Sequence, residues 1–185
     1  MIREVISDTR LRMKKTIDDF SQELVGIRTG KATVHLLDGV KVDYYGVPTP
    51  VNQVATIHAP DASTITLQPF DASQIKIIEK AIMASGLGFN PNNDGRVIRV
   101  PVPALTEDRR KEMAKQVGKI AEDHRNALRQ IRRDANDQLK KLEKSKEISE
   151  DQEYTALDEV QKIIDEFIKQ IDELAKAKDQ DILQG

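Results

Sequence analysis

Four arginines, Arg125, Arg129, Arg132 and Arg133, fall within nine positions of the stretch RNALRQIRRDAND (125–137). A guanidinium is a planar fork of donors that meets phosphate or carboxylate oxygens two at a time, and it stays charged at physiological pH. Gathering four of them in a chain whose formal net charge is −2 points to a polyanion. The alternative is a solvated charged face, or arginines bridging to acids on a neighbouring helix. Two features favour the polyanion. Lysine would serve for solubility, and crowded like charges on a helix cost stability unless something neutralises them. The chain has four Phe, three Tyr and no Trp, too few for a platform on which single strands stack. Folded RNA, met through phosphate and shape, suits the cluster better.

Other chemistry is thinly represented. There is no cysteine, which removes disulfides and thiolate metal sites and suits a reducing compartment. His35, His58 and His124 lack metal-ligand spacing, and His124 reads as a core residue. Gly86-Leu87-Gly88 follows a helix, so it reads as a helix terminator and not as a phosphate loop. Tyr44 and Tyr45 read as strand packing residues, with partner contact as the alternative. No catalytic residue, metal or cofactor is expected, and the chain is not read as an enzyme. A nuclease would need a metal or nucleophile constellation that is missing; a helical scaffold whose arginines pair with a protein is the stronger rival. No signal-like N-terminus and no run of about 18 apolar residues is present, so a cytoplasmic protein without membrane contact is expected.

The elements that must hold the arginines are legible as apolar stripes. Ile2, Ile6, Thr9, Met13, Ile17, Phe20, Leu24 and Ile27 recur at three and four, a first helix that Gly30 should stop. A second helix is expected from a Thr106 N-cap over about 40 residues, about 60 Å, with its seam at Met113, Val117, Ile120, His124, Leu128, Ile131, Ala135, Leu139 and Leu142. After a break near 145–148, Ser149 and Gln152 form a capping box. Leu157, Val160, Ile164, Phe167, Ile171 and Leu174 then keep the 3.5-residue period of coiled-coil packing. At about 100° per residue from Arg125, the other three arginines fall near 40°, 340° and 80°, against a seam centred near 270°. Asp123, Asp134 and Asp137 lie on the far flank, so the positive stripe is expected to be segregated from acids. Residues 106–146 carry 13 Lys and Arg against 8 Asp and Glu, whereas 147–185 carry 4 against 12; the basic and acidic helices should pair.

Between the first two helices the texture changes, and all seven prolines lie there. VKVDYYG, VATIHA, TITLQPF and RVIRVPV read as strands, with turns at Asp38-Gly39 and Asp94-Gly95. One short helix carries Ile75, Ile78 and Ile82 on a face, with a capping box expected from Asp71 and Gln74. None of the long helices can bury its stripe alone. The fold class is therefore α+β: an elongated antiparallel three-helix bundle, residues 1–29 and 105–185, with an inserted, hinged small β/α/β domain, residues 30–104. The hinge is expected at Thr29, Gly30, Lys31, Pro101, Pro103, Ala104 and Leu105.

The stretches IRTGKA (27–32), LLDGVKVDYYGVPTP (36–50), IEKAIMAS (78–85), NPNNDGRVIRVPVPALTEDRRKE (90–112), IRRDAND (131–137) and KEISED (146–151), in this order, closely resemble the bacterial ribosome recycling factor family over essentially the full chain. Gln130, Gly86, Phe89 and Val34-His35 depart from the family's usual residues. The resemblance implies a three-helix bundle with a hinged β/α/β domain. It also implies a non-catalytic factor, expected as a monomer, that binds the ribosome after termination. The family's bundle lies on large-subunit rRNA, and elongation factor G, using GTP, acts on it to separate the subunits. By matching position, rRNA contacts would come from Arg129, Arg132 and Arg133, Arg132 foremost, beside the clustered Arg125. Arg28, Lys31, Arg109 and Arg110 are further candidates. The inserted domain would meet elongation factor G.

Overall fold

The computed structural model describes residues 1–184. The chain divides into two compact units, Met1–Ile27 with Arg110–Gln184, and Arg28–Arg109. In the first, α1 (Ile2–Val25), α3 (Glu107–Lys144) and α4 (Glu150–Gln184) bury their stripes on one another. The polar pairs between them give the directions. Arg12 meets Asp134 and Glu23 faces His124, so α1 and α3 are antiparallel. Arg125 meets Asp172 and Arg132 meets Gln161, so α3 and α4 are antiparallel as well.

Met13, Phe20, Val117, Leu128 and Ile171 are fully buried at the centre of this bundle. Both Ile163 and Ile164 are buried on α4, together with Ala156, Ala175 and Ile182. The α4 stripe is thus wider than a coiled-coil seam, because α4 packs against two helices at once. Thr106 Oγ1 accepts from the Arg109 N–H at 3.2 Å, as an N-cap should. At α4 the expected capping box is complete: Ser149 Oγ accepts from Gln152 N at 3.1 Å, and Gln152 Oε1 accepts from Ser149 N at 2.9 Å. The end of α1 comes earlier than expected. The helix stops at Val25 and the Gly26 N–H closes on Glu23 O, leaving Ile27 buried but outside the helix. Gly30 marks a later turn instead.

In the second unit a four-stranded antiparallel sheet has the order β3 (Ala55–Asp61), β4 (Thr64–Pro69), β6 (Ile98–Pro101), β5 (Asn92–Asn93). Beside it, β1 (Lys41–Tyr44) pairs with β2 (Val47–Pro50), and α2 (Ile75–Ala84) buries Ile75, Ile78 and Ile82 in the same core. Strand β2 is absent from the sequence reading because Pro48 and Pro50 argue against a strand; as a two-stranded ribbon it tolerates them. Two further corrections are local. Asp71 caps Ser73 in a single 3-10 turn, Ala72–Gln74, whereas Gln74 is buried with its Oε1 unpartnered and completes no box. Tyr44 packs on the core, but Tyr45 is exposed at the β1–β2 turn with φ 51°, followed by Gly46 at φ 85°. Two positive φ values make the tight hairpin turn, and the Tyr45 hydroxyl donates to Asp71 at 2.8 Å.

Both segments that lead into this unit are held by one turn. Ala32 N donates to Ala62 O at 2.8 Å, and Val102 N donates to Ser63 O at 2.7 Å. Gly30, at φ +80°, lies so near Leu105 that an added Cβ would come to 3.2 Å from its Cγ and 3.3 Å from its N. No helix among the described residues is long and apolar enough to cross a membrane. The packing predicts that Phe20→Ala lowers unfolding free energy by about 3–5 kcal/mol, while Phe70→Ala, on an exposed ring, stays within about 0.5 kcal/mol. Urea denaturation of the two variants checks this; equal losses would contradict the assigned core.

Candidate nucleic-acid interface

Helix α3 positions the arginines by burying Val117, Ala121, Leu128, Ile131, Ala135 and Leu139. That seam turns the opposite side of the helix outward. The four arginines do not share one state there. Arg125 is 23 % exposed and staples α3 to α4: its Nε and Nη2 donate to Asp172 Oδ1 at 2.9 and 2.6 Å. Its Nη1 also donates to Glu122 Oε2 at 3.1 Å. Burial works against the Arg125 charge, but the two carboxylates outweigh it and hold its pKa above the usual value. Arg129, 37 % exposed, donates from Nη1 to Glu122 Oε1 at 3.0 Å and to Asn126 Oδ1 at 2.7 Å.

Arg132 and Arg133 differ. Arg132 is half-buried and reaches only the neutral Gln161 amide, 3.4 Å away, and Arg133 is exposed. Among the described residues neither forms an ion pair.

The expected segregation of the stripe from acids is therefore corrected. Glu122 stands inside the stripe, three residues before Arg125 and seven before Arg129, and Asp172 reaches in from α4. On the helix wheel Glu122 lies near 60° from Arg125, a signal the sequence contained. Asp172 could be found only from the α3–α4 register. Hydrogen bonds from Arg129 and then Arg125 lower the Glu122 pKa below its ordinary 4.5. A carboxyl lowered on folding adds stability that is complete above the unfolded value and is lost as pH falls through the folded one. Glu122 is thus ionised, and can accept from both guanidiniums, above its ordinary value. On the far flank, Asp134 takes Arg12 at 2.9 Å and Gln130 at 3.0 Å.

The remaining candidates are dispersed. Arg110 is half-buried at the start of α3, and its Nε is buried without a hydrogen-bond partner. Arg109, exposed in that first turn, has interactions of its own. Arg28, Lys31 and Arg109 belong to the second unit and not to the unit that carries the stripe. There the Arg28 guanidinium lies 5.2 Å from the Phe89 ring centroid, a cation–π contact. Lys31 is exposed.

The sequence pattern of the family described as "Ribosome recycling factor" matches residues 20–183. The chain belongs to the ribosome recycling factor family. A ribosome-recycling factor from Symbiobacterium thermophilum is 53% identical over 184 residues, which is 100% of both chains. One from Geobacillus kaustophilus is 51% identical over the same length and coverage. Among solved structures, the solution structure of a ribosome recycling factor superposes with a TM-score of 0.79 at 36% identity, covering 100% of this chain and 98% of that one. A T. thermophilus ribosome recycling factor, placed with E. coli elongation factor G on the E. coli post-termination complex, gives 0.67 at 46% identity and 99% coverage of each. A ribosome recycling factor whose α3 cluster holds two arginines paired with carboxylates and two without should respond unevenly to mutation. Arg125→Ala is expected to lose about 1 kcal/mol of stability, and Arg133→Ala less than about 0.5 kcal/mol. Equal stability loss in denaturant titrations would erase the distinction between stapling and free arginines.

Proposed function

We propose that this protein recycles ribosomes by gripping large-subunit rRNA of the post-termination complex through the outward face of α3, with elongation factor G and GTP then separating the subunits. One observation carries the rRNA grip: Arg132 and Arg133 stand side by side without a carboxylate, in a cluster whose other two arginines, Arg125 and Arg129, are neutralised. Arginines that served only to bridge neighbouring acids would have partners for all four. The T. thermophilus relative on its post-termination complex, with elongation factor G, supports the partners.

Arg132 is the principal contact, Arg133 adds to it, and Arg129 joins when Glu122 yields. A stiff helix of 38 residues transmits force along its length as long as its phosphate contacts hold. Hydrogen bonds to charged groups contribute about 1.5–3 kcal/mol each, so Arg132→Ala should weaken ribosome binding about tenfold or more. The salt slope should fall by about one unit, with melting nearly unchanged. In a splitting assay with purified subunits, elongation factor G and GTP, this variant should be inactive. Activity equal to the parent, or loss only through unfolding, would contradict the reading.

We further propose that the two connecting segments, Thr29–Lys31 and Pro101–Leu105, act as the hinge of the second unit. The shared anchoring of Ala32 and Val102 on the Ala62–Ser63 turn and the contact of Gly30 with Leu105 support it. Gly30→Ala forces a Cβ into that contact at a left-handed φ. It should therefore slow factor-driven splitting more than it weakens ribosome binding. Equal effects on both, or none on either, would count against mechanical use of the hinge.

A further inference from the structure

We propose that Glu122 is a specificity-determining residue of the RNA-binding face, a built-in competitor that occupies the forks of Arg125 and Arg129 until RNA phosphate displaces it. The inference rests on the reading of α3 as that face. Its geometric basis is the division of one carboxylate between two guanidinium groups. Oε2 accepts from Arg125 at 3.1 Å and Oε1 from Arg129 at 3.0 Å. Two oxygens of one anion between two forks is the arrangement a phosphate would take. The spacing 122, 125 and 129 puts all three side chains on one side of α3.

The pair is built to be displaceable. Glu122 is 52 % exposed, and ion pairs in water hold weakly. The two arginines respond differently when it leaves. Arg125 remains fixed by Asp172, whereas Arg129 keeps only the neutral Asn126 oxygen and becomes free to bind. The face is thereby graded, with no carboxylate to displace at Arg132 and Arg133, and Arg129 open only to an anion that outcompetes Glu122. An RNA of arbitrary shape gains little from the second part, because the carboxylate must be displaced without well-aligned contacts in return. A surface that presents phosphate at the right place recovers that cost. The result is discrimination against the bulk of cellular RNA.

The test compares two probes by anisotropy and pelleting across a salt series: a short RNA duplex of arbitrary sequence, and intact ribosomes. Glu122→Gln should bind the duplex about five- to tenfold more tightly, with a slope steeper by about one phosphate, and its preference for ribosomes should shrink. Asp123→Asn removes the same charge from the far flank and should change duplex affinity much less. Adding Arg129→Ala to Glu122→Gln should cancel the gain. No gain for Glu122→Gln, a gain equal to that of Asp123→Asn, or a gain that survives loss of Arg129 would each overturn the proposal. A gain routed through Arg129, alongside ribosome binding that ignores Arg132→Ala, would uphold the competitor and sink the ribosomal reading instead.

Discussion

The rotation of α3 about its own axis is the constraint on which the rest depends. Val117, Leu128, Ile131 and Leu139 must all point inward between α1 and α4, and burying each such side chain contributes about 1.5–3 kcal/mol. No surface charge pair competes with that sum, since exposed pairs contribute at most about 1 kcal/mol. Hydrophobic burial therefore decides which way the helix faces, and the arginines are carried outward as a consequence. A one-residue slip of the seam would turn the whole stripe by about 100° and point it away from its present outward face.

Within that frame, electrostatics sorts the arginines by neighbour. At the N-terminal end of the cluster, Arg125 spans to Asp172 and joins α3 to the acidic helix. Arg129 shares Glu122 with it. One turn further on, α4 offers Arg132 an amide, Gln161, in place of a carboxylate. Asp172 of α4 and Glu122 of α3 itself thus neutralise one end of the cluster and leave the other open. That asymmetry, more than the count of charges, is what the proposed binding surface rests on.

Much of this was legible in the sequence, because three- and four-residue periodicity and capping chemistry are local. The α3 seam, the Thr106 cap and the Ser149–Gln152 box lie where their residues say. What failed was local chemistry overruled by packing or geometry. A tyrosine at a left-handed turn position, Tyr45, is rare on steric grounds, and the Pro48 and Pro50 strand survives only because it belongs to a two-stranded ribbon. Gly30 looked like the stop of α1, yet it serves a turn against Leu105. At the site, the arginine cluster was legible, while the Arg125–Asp172 staple, between residues 47 apart in sequence, required the register of the two helices. Glu122, near 60° on the wheel and inside the stripe, is a signal the sequence carried.

Cleavage from a tethered radical source would test the central claim most directly. With an iron chelate on Arg133→Cys, bound to post-termination ribosomes, cuts should appear in large-subunit rRNA, and far fewer should come from a chelate at Asp18→Cys on the exposed side of α1. No rRNA cleavage from position 133, or equal cleavage from both positions, would contradict the account.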